Sequence, residues 1–262
     1  MSEPAVLRSD QGAVVILTLN RPERRNALSR RLVAELSDQL SNIAAESAPR
    51  TVVLTGTNPS FCAGMDLKES IDTRRTAESE KRAIADVQGI ADLVDQLHRL
   101  AKPTIAALNG DAFAGGAGLA IACDFVIAAE HARIGYPEVK RGLVAAVVMI
   151  DLVRQVGERR ARALLLSGEP ISAQEAERWG LINRVVPAEA CLAEAVALGT
   201  SLVACAPGAL ATTKRLLDET SGRPANLRGP AAVTAAVRVA EEAEEGMLAF
   251  LEKRAPRWCS GT

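Results

Sequence analysis

The chemistry of this 262-residue chain is concentrated where its side chains are smallest, at residues 109–124, N-G-D-A-F-A-G-G-A-G-L-A-I-A-C-D. Gly115 and Gly116 fall where an apolar strand at 104–108 turns into a small-residue helix at 115–123. Glycine tolerates the backbone angles of such a turn and lets a second backbone or a ligand approach closely. The first amides of a helix lack intrahelical acceptors and sit at its positive end. An oxygen that gains negative charge during a reaction would be held well there. A packing contact between helix and sheet explains the same residues, and the stretch alone does not choose.

Other chemistries find little support. The two histidines, His98 and His131, have no Cys or second His at metal-ligand spacing, so no metal is expected. There is no G-x-S-x-G, hence no serine-hydrolase elbow. The run A-G-G-A-G-L-A departs from G-x-G-x-x-G, no acidic residue ends a strand about twenty residues later, and no P-loop is present. A net charge of −1 argues against nucleic acid as partner. The five cysteines (62, 123, 191, 205, 259) form no C-x-x-C and suit reduced thiols in a cytosol. The start M-S-E-P-A-V does not read as a signal peptide. The nearly uncharged run 142–150 is too short to span a bilayer, and no membrane partner and a cytoplasmic location are expected.

The elements that must position residues 109–124 follow from apolar patterning. With 48% hydrophobic and 24% charged residues, the chain has ample core for one large or two small domains. Apolar runs at 13–19, 51–55, 104–108 and 124–129 read as strands. Leu28, Leu32, Val33, Leu36, Leu40 and Ile43 recur at helical spacing, as do Ile84, Val87, Ala91, Val94 and Leu97. Residues 56–67 read as a loop. Strands separated by helices predict an α/β unit with largely parallel pairing. Ser172-Ala-Gln-Glu175 is a capping-box pattern with Gly180 as the helix stop. Residues 1–187 read as α/β and 188–262 as all helical, with helices at 189–205, 208–219 and 231–252. Exposed apolar positions in such a tail predict packing on a neighbour, with capping of its own core as the alternative.

Three stretches, taken together, resemble the enoyl-CoA hydratase/isomerase (crotonase) superfamily. They are N-R-P-E-R-R-N-A-L at 20–28, F-C-A-G-M-D-L at 61–67, similar to F-x-A-G-x-D-L, and the 109–124 stretch, similar to N-G-x-A-x-G-G-G. Y-P-E at 136–138, L-S-G-E-P-I-S-A-Q-E-A at 166–176, G-L-I-N-R-V-V-P at 180–187 and E-G-M-L-A-F-L-E-K at 245–253 extend the likeness over nearly the whole chain. The resemblance implies an α/β spiral of β-β-α turns (1–187) followed by a C-terminal helical trimerisation region (188–262). It also implies a homotrimer or a dimer of trimers. The substrate would be an acyl-CoA thioester, with coenzyme A part of the substrate and no separate cofactor.

The shared intermediate of that family is a thioester enolate. Carried over by motif position, the amides of Met65 and Gly115 would hold the thioester oxygen. Glu138 would be the acid/base, its pKa raised toward neutrality by apolar neighbours such as Val139, Leu143 and Val144. Ala63, Asp66 and Leu67 would join them in lining the substrate site. Arg24, Arg25 and Lys68 would contact CoA phosphates. Phe250 and Lys253 would reach the adenine end of CoA bound in the neighbouring subunit, three apart on one helical face.

One departure matters. Hydratases of this kind carry a further glutamate in a G-G-x-E-L-A pattern, and that position here is Gly118. The P-G-x-G-G that usually follows Glu138 is replaced by V-A-A-V-V at 144–148. Hydration is served best by two carboxylates, whereas moving a double bond from C3 to C2 needs one base. The expected activity is therefore of hydratase/isomerase type, with Δ3-Δ2 isomerase, acyl-CoA decarboxylase or a non-catalytic acyl-CoA-binding protein as alternatives. A Gly118→Glu change is expected to fold and to favour hydration unless the pocket is too tight.

Overall fold

A computed structural model describes residues 3–74, 78–224 and 226–259. Among the described residues, ten strands form two sheets: β1 (Val6–Gln11), β2 (Val14–Leu19), β3 (Thr51–Gly56), β4 (Ser60–Cys62), β5 (Thr104–Leu108), β6 (Asp111–Phe113), β7 (Phe125–Ala129), β8 (Arg133–Gly135), β9 (Ile171–Ser172) and β10 (Arg184–Val186). The larger sheet runs β1-β2-β3-β5-β7-β10 and the smaller β4-β6-β8-β9. Only the β1–β2 and β8–β9 pairs are antiparallel. The helices are α1 (Arg30–Ala45), α2 (Leu67–Arg74), α3 (Ser79–Arg99), α4 (Gly115–Ala122), α5 (Ala146–Ser167), α6 (Ala173–Trp179), α7 (Cys191–Val203), α8 (Pro207–Thr220), α9 (Arg228–Arg238) and α10 (Glu241–Leu251).

The expected spiral of β-β-α turns is what these elements make. In β3–β4, β5–β6 and β7–β8, the first strand joins the larger sheet and the second the smaller, before the chain leaves through a helix. Strands β4, β6 and β8 are therefore parallel neighbours. Their C-terminal ends emerge side by side, and three stretches far apart in sequence open onto one place.

Local chemistry explains the boundaries. Ser29 caps α1 by accepting from the Leu32 amide at 3.2 Å, and Leu32, Leu36, Leu40 and Ile43 turn inward. Ser172 caps α6 through the Glu175 amide, as the capping pattern predicts. Two expectations need correction. Residues 56–67 are not all loop: Ser60–Cys62 is a buried strand, too short to show a pattern, and its pairing to β6 defines it. Residues 231–252 are not one helix but α9 and α10, broken at Ala240, whose backbone is extended (φ −71°, ψ 159°). No Pro or Gly marks that break. It is set by packing, since α9 lies on α3 and α5 while α10 turns away onto α2 and the 3-10 turn Pro137–Arg141.

The helices beyond residue 187 share the core with the sheet. Helix α7 lies across β3, β5 and β7, burying Cys191, Ala195 and Gly199. Leu227, Ala231 and Ala235 belong to the same apolar cluster as the strands.

Candidate active site

The exits of β4, β6 and β8 build one wall of a cavity of about 850 Å³. After β4 the chain passes through Gly64 at φ +86°, a left-handed angle that costs glycine nothing. A Cβ there would lie 2.7 Å from the Ala114 Cβ and 3.3 Å from the Gly115 nitrogen, so the two loops touch backbone to backbone. The bonds from the Leu28 amide to the Gly64 oxygen and from the Asp66 amide to the Leu28 oxygen fix the loop on both sides of Met65.

After β6, Ala114 adopts φ 52°, ψ −127°, a strained conformation for a residue with a Cβ. Its own amide is tied to the Gly135 oxygen at 2.9 Å, so the strain is imposed by the sheet. The result is to aim the first amide of α4, Gly115, into the cavity beside Met65. Among the described residues neither the Met65 nor the Gly115 amide has a protein acceptor. Two unsatisfied donors, one of them at a helix N-terminus, make a ready site for an oxyanion.

After β8 comes the 3-10 turn Pro137–Arg141, closed by Gly142 at φ 64°. Glu138 sits in its first turn, lining the cavity with its Oε2 buried and without a partner. Burial pushes its pKa up to about 7, against the opposing pull of its own backbone amide and the Arg141 charge. Leu143 and Val144 are cavity neighbours as expected, whereas Val139 is 38% exposed and faces away.

The other candidates sort by partner. Arg24, Arg25 and Lys68 are exposed at the rim, a basic lip to the cavity. Ala63 and Leu67 line the wall. Asp66 also borders it, but its carboxylate accepts from Arg21 at 3.0 Å and from the Lys68 and Glu69 amides at 3.2 and 3.3 Å. It holds the Met65 loop and starts α2. Asn26 is likewise structural: fully buried, it donates to the Thr57 and Ser60 oxygens at 2.8 Å.

Phe250 and Lys253 line the cavity of their own chain, where the resemblance put them in the neighbour's. Gly142 and Gly246 make this possible. A Cβ on Gly246 would collide with the Arg141 backbone and one on Gly142 with that of Glu242, so α10 docks directly on the turn that carries Glu138. Nor do the two share a helical face, because Lys253 lies past the end of α10 with φ 54°.

Gly118 gives the largest correction. A Cβ there would strike Val148 Cγ1, so the residue faces α5 in a packed contact, and Val148 in its place lines the cavity. Gly118→Glu alone would have to displace the Val148 side chain. Sequence reasoning also missed Val87 and Ile90 of α3, Arg141 on the Glu138 turn, and Thr234 and Arg238 of α9, all of which line the cavity. Arg141 stands three residues after Glu138 and was open to notice. The α9 residues carried no signal, since only tertiary packing brings that helix over the site.

The enoyl-CoA hydratase/isomerase family model matches residues 9–261. A Thermus thermophilus protein named for enoyl-CoA hydratase activity is 41% identical over 257 residues, covering 97% of this chain and all of that one. A crystal structure of an enoyl-CoA hydratase/isomerase from Xanthobacter autotrophicus Py2 superposes with a TM-score of 0.85 at 32% identity, covering 96% of this chain and 93% of the other. That of a monofunctional enoyl-CoA isomerase from M. smegmatis does so with a TM-score of 0.72 at 30% identity, covering 87% and 98%.

Proposed function

This chain belongs to the enoyl-CoA hydratase/isomerase family and is an enzyme of that type acting on acyl-CoA; within it, we propose that Glu138 is the single acid/base of a double-bond isomerisation. One observation carries the reading. Glu138 lines the cavity with an unpartnered carboxylate oxygen, whereas Asp66 is engaged and position 118 is closed by Val148.

The thioester oxygen accepts from the Met65 and Gly115 amides. Glu138 takes a proton from C2, and the electron pair left behind delocalises into the thioester as an enolate. Each backbone donor stabilises that charge by about 3–4 kcal/mol. The carboxyl then returns the proton at C4, the enolate electrons form the C2–C3 double bond and the C3–C4 bond becomes single. A carboxyl with a pKa of about 7 suits both halves of this transfer. The basic lip of Arg24, Arg25 and Lys68, with Lys253, takes the CoA phosphates. Exposed Leu216, Leu217 and Val233 support assembly into trimers, part of the same proposal.

Hydration of a 2-enoyl-CoA is the second reading, favoured by the activity for which the Thermus thermophilus relative is named. Both are tested by incubating 3-enoyl-CoA and 2-enoyl-CoA separately and resolving products by mass spectrometry. Conversion of the 3-enoyl substrate faster than hydration of the 2-enoyl substrate is expected. Hydration with no isomerised product would reverse the assignment.

A further inference from the structure

Around Glu138 the cavity is apolar, lined by Val87, Ile90, Leu143, Val144, Val147 and Val148. Two groups with unpartnered polar atoms break this lining. Arg141, on the same turn as Glu138, is half-buried, with its guanidinium carbon 4.1 Å from the centre of the Phe250 ring. Its Nη1 donates to the Pro137 oxygen at 3.1 Å, but its Nε is buried without an acceptor. Among the described residues no carboxylate lies within ion-pair distance of it. Thr234 lines the same cavity with its Oγ1 buried and unpartnered.

A plain alkyl chain packed here would cover these groups and leave them unsatisfied, which is unfavourable for a buried donor and more so for a charged one. Glu138 does not meet the need, since its Oε2 receives no hydrogen bond. The two charges line the same cavity and act on each other without a hydrogen bond between them. Resting on the proposed acyl-CoA reading of this site, we propose that Arg141 binds a carboxylate carried on the acyl group, so that the substrate is a carboxyacyl-CoA rather than an alkyl one. The phosphates of CoA are the other source of anionic oxygen. They are separated from the thioester by the pantetheine arm and have their own cations at the lip, whereas Arg141 shares the Pro137–Arg141 turn and the cavity with Glu138. Phe250 beneath its face orients the planar fork, the geometry that suits a carboxylate.

The test uses saturated thioesters, which bind without reacting. Calorimetry compares an alkanoyl-CoA with the carboxyalkanoyl-CoA of equal chain length, and the same pair as N-acetylcysteamine thioesters, which lack the nucleotide. The wild-type protein is expected to bind the carboxylated member at least about 30-fold more tightly in both series. Arg141→Met should abolish that preference, weakening the carboxylated member and not the alkyl one. Arg141→Lys, which keeps the charge over Phe250, should retain part of the preference and guards against misfolding. Equal binding of the wild-type pair would overturn the proposal. So would an Arg141→Met loss that is the same for both CoA thioesters and absent from the nucleotide-free pair, since Arg141 would then serve a phosphate. If Glu138→Gln left turnover unchanged while the preference persisted, the isomerisation mechanism would fail and this assignment would stand.

Discussion

Two groups of buried polar side chains, whose acids Glu138 and Asp151 both act on Tyr136, differ in one respect. In one, Asp151 is 1% exposed yet fully partnered: it accepts from His98 Nε2 at 2.9 Å, Arg154 at 2.9 Å and Arg223 at 3.3 Å. Arg223 in turn donates to Asp95 at 2.8 Å. In the other, Glu138 Oε2, Arg141 Nε and Thr234 Oγ1 have no partners. Burial alone would push both acids up. In Asp151 the His98 bond and the charges of His98, Arg223 and Arg154 outweigh it and hold the group below the usual Asp range, whereas Glu138 rises to about 7. A partnered network ties α3, α5 and the segment after α8 together; an unpartnered set is poised for a ligand.

Removing the central acid from each region should break opposite properties. Glu138→Gln is expected to lower turnover by about 10²–10⁴-fold while leaving thermal stability equal or higher, measured by steady-state assay and by thermal unfolding. Asp151→Ala should do the reverse. Arg223 keeps Asp95 and Arg154 keeps Asp218, but both lose their shared buried acceptor, which costs about 1–3 kcal/mol in urea unfolding, with kcat of the folded protein changed by little. A Glu138→Gln protein that is destabilised but active would erase the distinction.

The regions should also answer pH with opposite signs. The folded pKa of Glu138 is raised, so its contribution to stability is complete below the unfolded value of 4.5 and is lost as pH rises to about 7. That change is on the order of 3 kcal/mol. The Asp151 pKa is lowered, so its contribution is complete above 3.8 and lost only as pH falls through the lower folded value. Denaturation curves between pH 4.5 and 7 should therefore slope downward in wild-type protein and flatten in Glu138→Gln, while Asp151→Ala keeps the slope.

The smallest effect expected concerns the second carboxylate. Gly118→Glu alone overpacks against Val148 and should cost about 1–3 kcal/mol, measured by denaturant titration. Combined with Val148→Ala it should recover much of that loss and shift products toward hydration. An unchanged product ratio in the folded double variant would separate carboxylate number from reaction type.

Much of the cavity was legible because its makers are backbone amides and one turn residue held in short motifs. The glycines around Met65 and Gly115, and Glu138 after Tyr136-Pro137, stand out in sequence because the three strand exits demand them. The opposite wall was not legible. Thr234 and Arg238 look like ordinary helical positions, and only the break at Ala240 and the docking of α9 on α3 bring them over the site. Val148 fills space beside Gly118 by a contact between α4 and α5 that no local pattern encodes. The His98–Asp151 pair joins residues 53 apart and was equally hidden.

The claim that one unpartnered carboxyl does the chemistry is tested most directly by the pH dependence of kcat/KM for isomerisation of a 3-enoyl-CoA. Glu138 must be ionised to take the C2 proton, so the profile should show a single ionisation near its pKa of about 7, falling about tenfold per pH unit below it. The residual rate of Glu138→Gln should lack that ionisation. A wild-type profile flat from about pH 5 to 8, or the same ionisation surviving in Glu138→Gln, would contradict it.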